Sequence, residues 1–254
     1  ALPAAVIGAD HRGRMKRRDG RGVGDLRPLE FRRGFTEHSQ GSVLTSCGGT
    51  RVLCTATMTD GVPPFLQGKG KGWLTAEYSM LPSSTHSRKP RERAGKLDGR
   101  GVEIQRLIGR ALRGVMDLSL FGERTIWLDC DVLQADGGTR TTAINGAWVA
   151  LYDCLTVMDS KRLLRGWPLS TQLGAISLGI VDGTTLCDLD YSEDSRAEVD
   201  LNLVMTSASE IIEIQGAAEK RPFTRGTLDE ILTMGEDAIR QIFEAQKEAV
   251  GAGR

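Results

Sequence analysis

The sequence has no apolar run of the roughly 18–20 residues that a membrane-spanning helix needs, because a charge or a glycine interrupts every candidate. It also has no excess of one charge, since 33 Lys and Arg balance 33 Asp and Glu. The opening ALPAAVIGAD has no basic region ahead of its apolar residues, so we expect no secretory signal. These absences argue against a wholly basic nucleic-acid binder and predict a cytoplasmic protein without a membrane partner.

Cysteine and histidine are too few and too scattered to predict a zinc centre. The three histidines are far apart, and the five cysteines form no CxxC pair. The cysteines are odd in number and lie among apolar neighbours, which predicts small buried side chains in a reducing compartment. GxSxG, HExxH and GxxxxGK[ST] are also absent. The cysteines are Cys47, Cys54, Cys130, Cys154 and Cys187.

Charges are distributed unevenly along the chain. Nine Lys and Arg lie between residues 12 and 33 and nine more between residues 88 and 113, against three acidic residues in each segment. Between residues 182 and 200 the sign reverses, with seven acidic residues. Such blocks either bring an anion and a divalent cation together in one site or form solvated faces that balance by chance.

Hydrophobic periodicity predicts an α/β (α+β) chain in one compact unit. We expect residues 1–24 to be a loose basic arm, and residues 60–100, rich in proline and glycine, to be irregular. A hairpin is predicted from two β-branched runs, 41–47 and 51–59, around Gly48 and Gly49. Further strands are predicted at 124–133, 174–181, 184–191, 198–206 and 210–216, and helices at 103–118, 142–158 and 228–250.

The segment DGGTR (136–140) lies between a predicted strand and a predicted helix. Glycines let backbone N–H groups approach an anion, and the N-terminus of the following helix adds the positive end of a dipole. Thr139 adds a hydroxyl donor and Arg140 a guanidinium. The same pattern also suits an ordinary glycine turn that leads into a helix.

Two other segments carry concentrated charge. Asp194 and Asp200 flank the start of a predicted strand, and carboxylates brought together there would suit Mg²⁺. Taken alone, however, these residues favour an acidic solvated turn between strands. The irregular segment carries cations that would contact RNA phosphates or remain on a solvated loop. These cations are Arg88, Lys89, Arg91 and Arg93.

Longer segments decide between these alternatives. Four segments resemble the bacterial ribonuclease PH family. They are GKGWLTAEYSMLP (70–82), EIQRLIGRALR (103–113), LDCDVLQADGGTRT (128–141) and DLDYSEDSRAEVDLNLVMT (188–206). The resemblance runs from about Met15 to the last predicted helix. It implies a ribonuclease PH-like fold, of the ribosomal protein S5 domain 2-like type. Residues 15–254 would form a single catalytic domain, and residues 1–14 an N-terminal extension.

The resemblance also implies an activity. Members of this family are phosphate-dependent 3′-to-5′ exoribonucleases, or tRNA nucleotidyltransferases, which trim 3′ extensions of tRNA precursors and release nucleoside diphosphates in a reversible reaction. We therefore expect tRNA precursors and other structured RNA as substrates, inorganic phosphate as co-substrate and Mg²⁺ as cofactor. The implied assembly is a homo-hexameric ring, a trimer of dimers, with Val62, Phe65, Leu66 and Trp73 at an interface.

Matching the family's motifs residue by residue gives an expected site. Arg100 falls on the arginine before the EIQRLIGR helix, and it is implied to be catalytic and to bind phosphate. The metal-binding and catalytic aspartates fall on Asp194 and Asp200. The phosphate-binding tripeptide falls on Gly138, Thr139 and Arg140. The family's RNA-contacting arginines fall on Arg88 and Arg91, and the neighbouring Lys89 and Arg93 are predicted to bind RNA with them because of their charge.

Two other functions are alternatives to this one. Non-catalytic members of the superfamily serve as RNA-binding ring subunits, and they typically lose the arginine and aspartate set that this sequence keeps. A nucleotide-binding metabolic enzyme would need a recognisable cofactor loop, which the sequence lacks.

Overall fold

The computed structural model describes residues 17–91 and 99–251, which contain nine strands and four helices. The strands are β1 (Leu29–Arg33), β2 (Gly41–Cys47), β3 (Thr50–Asp60), β4 (Trp73–Met80), β5 (Arg124–Gln134), β6 (Leu173–Val181), β7 (Thr184–Cys187), β8 (Val199–Thr206) and β9 (Ile211–Ala218). The helices are α1 (Gly99–Arg113), α2 (Thr139–Ser160), α3 (Tyr191–Asp194) and α4 (Arg225–Gly251). The predicted extension, residues 1–14, lies outside the described residues.

The first sheet has five strands in the order β1-β2-β3-β5-β4. Neighbouring strands are antiparallel except β4 and β5, which are parallel. Alternation along β5 explains which face is covered: Leu128 and Val132 are fully buried, whereas Asp129 and Asp131 lie on the opposite face. The helices α1 and α2 pack against the buried face.

The second sheet is antiparallel, with the order β7-β6-β8-β9. Its strand β6 contacts both α2 and α4 and is therefore buried almost throughout. Ala175 belongs to the core that surrounds α2, whereas Ile176 and Leu178 belong to the core that α4 covers. The molecule is thus built as sheet, helices, sheet and helix in successive layers.

Helix α2 is buried on all sides over residues 141–151 because this part lies between the two sheets. Ile144, Leu151 and Leu155 are fully buried along it, and each would cost about 2–5 kcal/mol of stability if truncated to Ala. The packing is close: a Cβ at Gly41 would lie 1.9 Å from the carbonyl oxygen of Ala150. This packing fixes the N-terminus of α2, where the predicted phosphate turn lies.

Most of the predicted elements are confirmed within a few residues. They are the hairpin of β2 and β3, the strands β5, β6, β8 and β9, and the three long helices. All five cysteines are free and buried, as predicted. In residues 17–91 and 99–251, no helix has the length and apolar character needed to cross a bilayer.

Three expectations about local structure are wrong. Residues 60–100 contain β4, whose alternate residues Leu74 and Tyr78 are buried; the glycines and lysines just before it obscured that pattern. The strand predicted at 184–191 ends at Cys187, because the next residue adopts a positive φ and turns the chain toward α3. Residues 17–24 are not a loose arm, since Arg17 is buried against Glu193.

Candidate active site

The glycine turn of DGGTR lies at the N-terminus of α2, where the sequence placed it. Gly138 is the N-cap residue, with φ 62°, and Gly137 has φ 75°, so both adopt the left-handed conformation that favours glycine. Gly137 also packs closely, because a Cβ there would lie 2.4 Å from the carbonyl oxygen of Leu189. The turn and the segment that leads to α3 are therefore in direct contact.

Two buried side chains hold this turn from the core side. The Arg27 guanidinium donates through Nη1 to the carbonyl oxygen of Asp136 and through Nη2 to that of Gly137 at 3.4 Å. The Thr50 hydroxyl donates to the Gly137 carbonyl at 2.6 Å and accepts from the Asp136 N–H at 2.9 Å. The backbone of the turn is thus fixed by side chains from the start of β3 and from the segment before β1.

Arg27 is itself paired with a buried carboxylate. Asp188 accepts from Arg27 Nη2 at 2.7 Å, from Nε at 2.9 Å and from the backbone N–H of Arg27 at 2.7 Å. Burial alone would raise the pKa of Asp188, but the hydrogen bonds from Arg27 outweigh it and hold that pKa below its usual value. Removing one partner of such a buried pair costs about 3–5 kcal/mol.

The segment that carries Asp194 is anchored by a second buried pair. Asp190 and Glu193 form a capping box at α3, and Arg17 donates to both carboxylate oxygens of Glu193, at 2.8 and 2.6 Å. Asp194 is the last residue of α3, and Asp200 is the second residue of β8, opposite Gly179 of β6. The first basic block of the sequence thus pairs inside the molecule with the acidic block.

The four charged residues predicted to do the chemistry come together in space. Burial, and next the neighbouring Asp194 carboxylate, raise the pKa of Asp200 to about 6. Burial also raises the pKa of Asp194. The charges of Arg100 and Arg140 oppose both shifts, so the two guanidinium groups lie within electrostatic range of both carboxylates. The site therefore places two cations beside two carboxylates at the N-terminus of α2.

Neighbouring side chains orient Arg140 and Thr139. Arg140 Nη1 donates to Gln215 Oε1 at 3.0 Å and contacts Glu103 Oε1 at 3.5 Å. The Tyr78 hydroxyl donates to Thr139 Oγ1 at 2.9 Å, and both side chains are buried. Residues of α1, β4 and β9 thus support the first turn of α2.

The residues present fit Mg²⁺ rather than a metal held by protein ligands alone. No group of three or more His, Cys, Asp or Glu within residues 17–91 and 99–251 is arranged to hold a metal. Mg²⁺ is commonly bound by one or two carboxylates together with waters and substrate phosphates, and Asp194 and Asp200 supply two. A cation there would also relieve the repulsion that raises the pKa of Asp200.

The predicted RNA-binding residues follow β4 along the chain. Arg88, Lys89 and Arg91 are exposed on the segment after β4, where the Lys89 N–H donates to the Pro82 carbonyl at 2.8 Å. Arg93 lies outside the described residues. Their role in RNA binding stays a prediction.

The sequence pattern assigned no role to several residues that support the site. Arg27, Thr50 and Asp188 sit far from DGGTR along the chain, so only tertiary contact shows that they hold the turn. Glu219, next to the end of β9, raises the pKa of both Asp194 and Asp200. Gln215 lies in β9, where the sequence predicted a strand but no functional residue.

Comparison with known proteins agrees with the fold. Residues 25–156 match the 3′ exoribonuclease family, domain 1, and residues 171–238 match the 3′ exoribonuclease family, domain 2. The chain belongs to this family, the ribonuclease PH family of 3′ exoribonucleases.

Solved structures share the architecture at low sequence identity. Rice (Oryza sativa) Rrp46 superposes with a TM-score of 0.74 at 20% identity, over 91% of this chain and 98% of that one. The Archaeoglobus fulgidus exosome with RNA bound to the active site gives a TM-score of 0.75 at 21% identity, over 90% and 92%. An archaeal exosome core gives 0.74 at 20% identity, over 91% of both chains. These similarities establish the fold.

Proposed function

We propose that the chain is a phosphorolytic 3′-to-5′ exoribonuclease that trims 3′ extensions of tRNA precursors and other structured RNA. Orthophosphate is the attacking group and nucleoside diphosphates are released, as in bacterial ribonuclease PH. The observation that carries this proposal is the juxtaposition of Arg100 and Arg140 with Asp194 and Asp200 beside the glycine turn.

The arginines and the turn serve the attacking phosphate. Phosphorolysis brings two anions together, namely orthophosphate and the last phosphodiester of the RNA. Arg100, Arg140 and the N–H groups at Gly138 and Thr139 neutralise and orient the orthophosphate, so that its oxygen faces the phosphorus. A phosphate oxygen forms the new bond to phosphorus while the bond to the 3′ oxygen of the penultimate nucleotide breaks.

The aspartates serve the leaving oxygen. Asp194 and Asp200 would hold Mg²⁺, which when bound supplies charge stabilisation to the leaving oxygen. The 3′ oxygen leaves with a negative charge and must take up a proton. One of the two carboxyl groups would help to protonate it. The reaction is reversible because the released diphosphate retains a phosphoanhydride.

The exposed cations after β4 serve the rest of the RNA. Arg88, Lys89, Arg91 and Arg93 would contact backbone phosphates of the tRNA without reading bases. In a homo-hexameric ring the loops of several subunits would surround one RNA. This arrangement separates affinity for the RNA from the chemistry at its 3′ end.

The test is shortening of a 3′-extended tRNA in the presence of Mg²⁺ and phosphate. Asp194→Asn and Asp200→Asn should each lower kcat about 100-fold or more and leave tRNA binding unchanged. Asp129→Asn is the matched control, because Asp129 is also a partly buried carboxylate with a raised pKa but lies on the outer face of the first sheet. It should keep wild-type turnover.

Near wild-type turnover in either site variant would contradict the metal assignment. A wild-type chain that binds tRNA but does not shorten it would instead favour a non-catalytic ring subunit.

A further inference from the structure

We propose that Arg27 and Thr50 are positioning residues for the phosphate co-substrate. They hold the carbonyl groups of Asp136 and Gly137 toward the core, so that the N–H groups of Gly137 and Gly138 face outward toward the anion. The inference rests on the proposed function, because it takes phosphate as the ligand of this turn.

Two consecutive peptide groups of the turn are fixed in this way. The Asp136 carbonyl accepts from Arg27, and the Gly137 carbonyl accepts from Thr50 at 2.6 Å. In a planar trans peptide the C=O and N–H bonds point in opposite directions. The N–H groups of Gly137 and Gly138 complete these two peptide groups, and therefore point away from Arg27 and Thr50.

The outward N–H groups continue directly into α2. The first N–H groups of a helix have no partner within the helix, so those of Thr139 and Arg140 extend the series. Successive N–H groups on one side of the backbone form a concave anion site, and the helix dipole adds positive potential there. The orientation of the two glycine peptides thus decides how many donors an anion meets.

Arg27 acts through the turn rather than on the anion. Its side chain is 4% exposed, and its guanidinium N–H groups are directed to Asp188 and to the carbonyls of Asp136 and Gly137. Asp188 lies just before α3, which carries Asp194. The Arg27–Asp188 pair therefore also fixes the phosphate turn relative to the segment that bears a proposed metal ligand.

The experiment compares threonine variants in the full chain. Thr50→Val removes the hydroxyl that bridges the turn and keeps the shape of the side chain, whereas Thr50→Ser keeps the hydroxyl. Thr125→Val is the matched control, because Thr125 is also a buried strand residue whose hydroxyl donates to a loop glycine carbonyl, that of Gly61 at 2.8 Å. Arg27→Lys is a second site variant, since a lysine cannot bridge Asp188 and two carbonyls at once.

Binding of inorganic phosphate is measured by calorimetry, and KM for phosphate and for RNA by turnover. Thr50→Val should weaken phosphate binding and raise its KM about threefold to tenfold, with KM for RNA unchanged. Arg27→Lys should shift the same values in the same direction. Thr50→Ser and Thr125→Val should match the wild type, even where Thr125→Val lowers Tm as much as Thr50→Val.

Wild-type phosphate binding in Thr50→Val, an equal change in Thr125→Val, or a change in KM for RNA alone would overturn the inference. The proposed function would still stand if the wild type released nucleoside diphosphates. A wild-type chain that neither binds nor consumes phosphate would overturn both.

Discussion

At the scale of single residues, the ionisation of Asp200 links stability to pH. Its pKa in the folded chain is about 6, whereas an Asp in an unfolded chain has a pKa near 3.9. The folded chain therefore binds more protons between these values, and the stability of the wild type falls as pH rises through this window.

Asp200→Asn removes this ionisation. In Mg²⁺-free buffer, the Tm of the variant should equal that of the wild type below about pH 4 and exceed it increasingly toward pH 7. At pH 7 the free energy of unfolding of the variant should be higher by roughly 1–2 kcal/mol. Thermal melts over pH 4–8 give the measurement. Adding Mg²⁺ at pH 7 should raise the Tm of the wild type more than that of the variant. A Tm difference that is the same at every pH would contradict the assigned cause.

Two groups of arginines are expected to have different roles. Arg140→Ala should raise KM for phosphate and slow turnover, since a charge-assisted contact to the attacking group is lost, while affinity for tRNA changes little. Arg88→Ala combined with Arg91→Ala should weaken tRNA binding and flatten its salt dependence by up to about one log unit of slope per lost phosphate contact.

Paired titrations of phosphate and tRNA on both variants test these roles. A short oligonucleotide that cannot reach the loop should remain a normal substrate of the loop variant. The roles are reversed if Arg140→Ala chiefly weakens tRNA binding and the loop variant chiefly raises KM for phosphate.

At the scale of elements, most of the structure could be predicted from the sequence. The alternation at 124–133 indicated β5, because one face of this strand is buried. The helical periodicity at 142–158 indicated α2, which is buried along most of its length. β4 was not predicted in this way, since glycines at 68, 70 and 72 and lysines at 69 and 71 directly precede it and made the whole stretch resemble irregular structure. The strand predicted through 191 failed because Asp188, with φ 52°, is held by Arg27, a partner 161 residues away.

The contact between the glycine turn and the segment that leads to α3 predicts that a side chain at Gly137 lowers stability and weakens phosphate binding. Gly137→Ala should destabilise the chain by more than about 2 kcal/mol and raise KM for phosphate, because its Cβ would meet the backbone of Leu189 at 2.4 Å. Gly183→Ala is the control, since Gly183 also has a positive φ, 73°, but open space around its Cα. It should cost about 1 kcal/mol and leave KM unchanged. Equal losses of stability in the two variants would show that conformational strain alone acts at Gly137.

At the scale of the whole molecule, the distribution of charge indicated the site only in part. The charge blocks allowed either one site for an anion and a cation or solvated faces, and Arg100 does lie within electrostatic range of Asp194 and Asp200. It did not distinguish this contact from the internal pairs Arg17–Glu193 and Arg27–Asp188, because burial depends on contacts far apart along the chain. Contacts in the folded chain therefore decide which charged residues form the site and which residues hold it in place.

Assembly is the second prediction at this scale. Phe65 is 57% exposed and packs edge-to-face on Trp73, with ring centroids 5.3 Å apart, which leaves an apolar tip on the surface. We expect such tips to be covered in a hexameric ring, so light scattering at micromolar concentration should give the mass of six chains. A stable monomer with full activity on tRNA would refute this assembly.

The central claim is that orthophosphate, rather than water, attacks the RNA at the turn before α2. The most direct measurement supplies radiolabelled orthophosphate with a 3′-extended tRNA and Mg²⁺, and follows the label by chromatography. We predict that the label appears as the β-phosphate of released nucleoside diphosphates, in proportion to the nucleotides removed, and that shortening stops without phosphate. Release of unlabelled nucleoside monophosphates at the same rate in phosphate-free buffer would contradict the account.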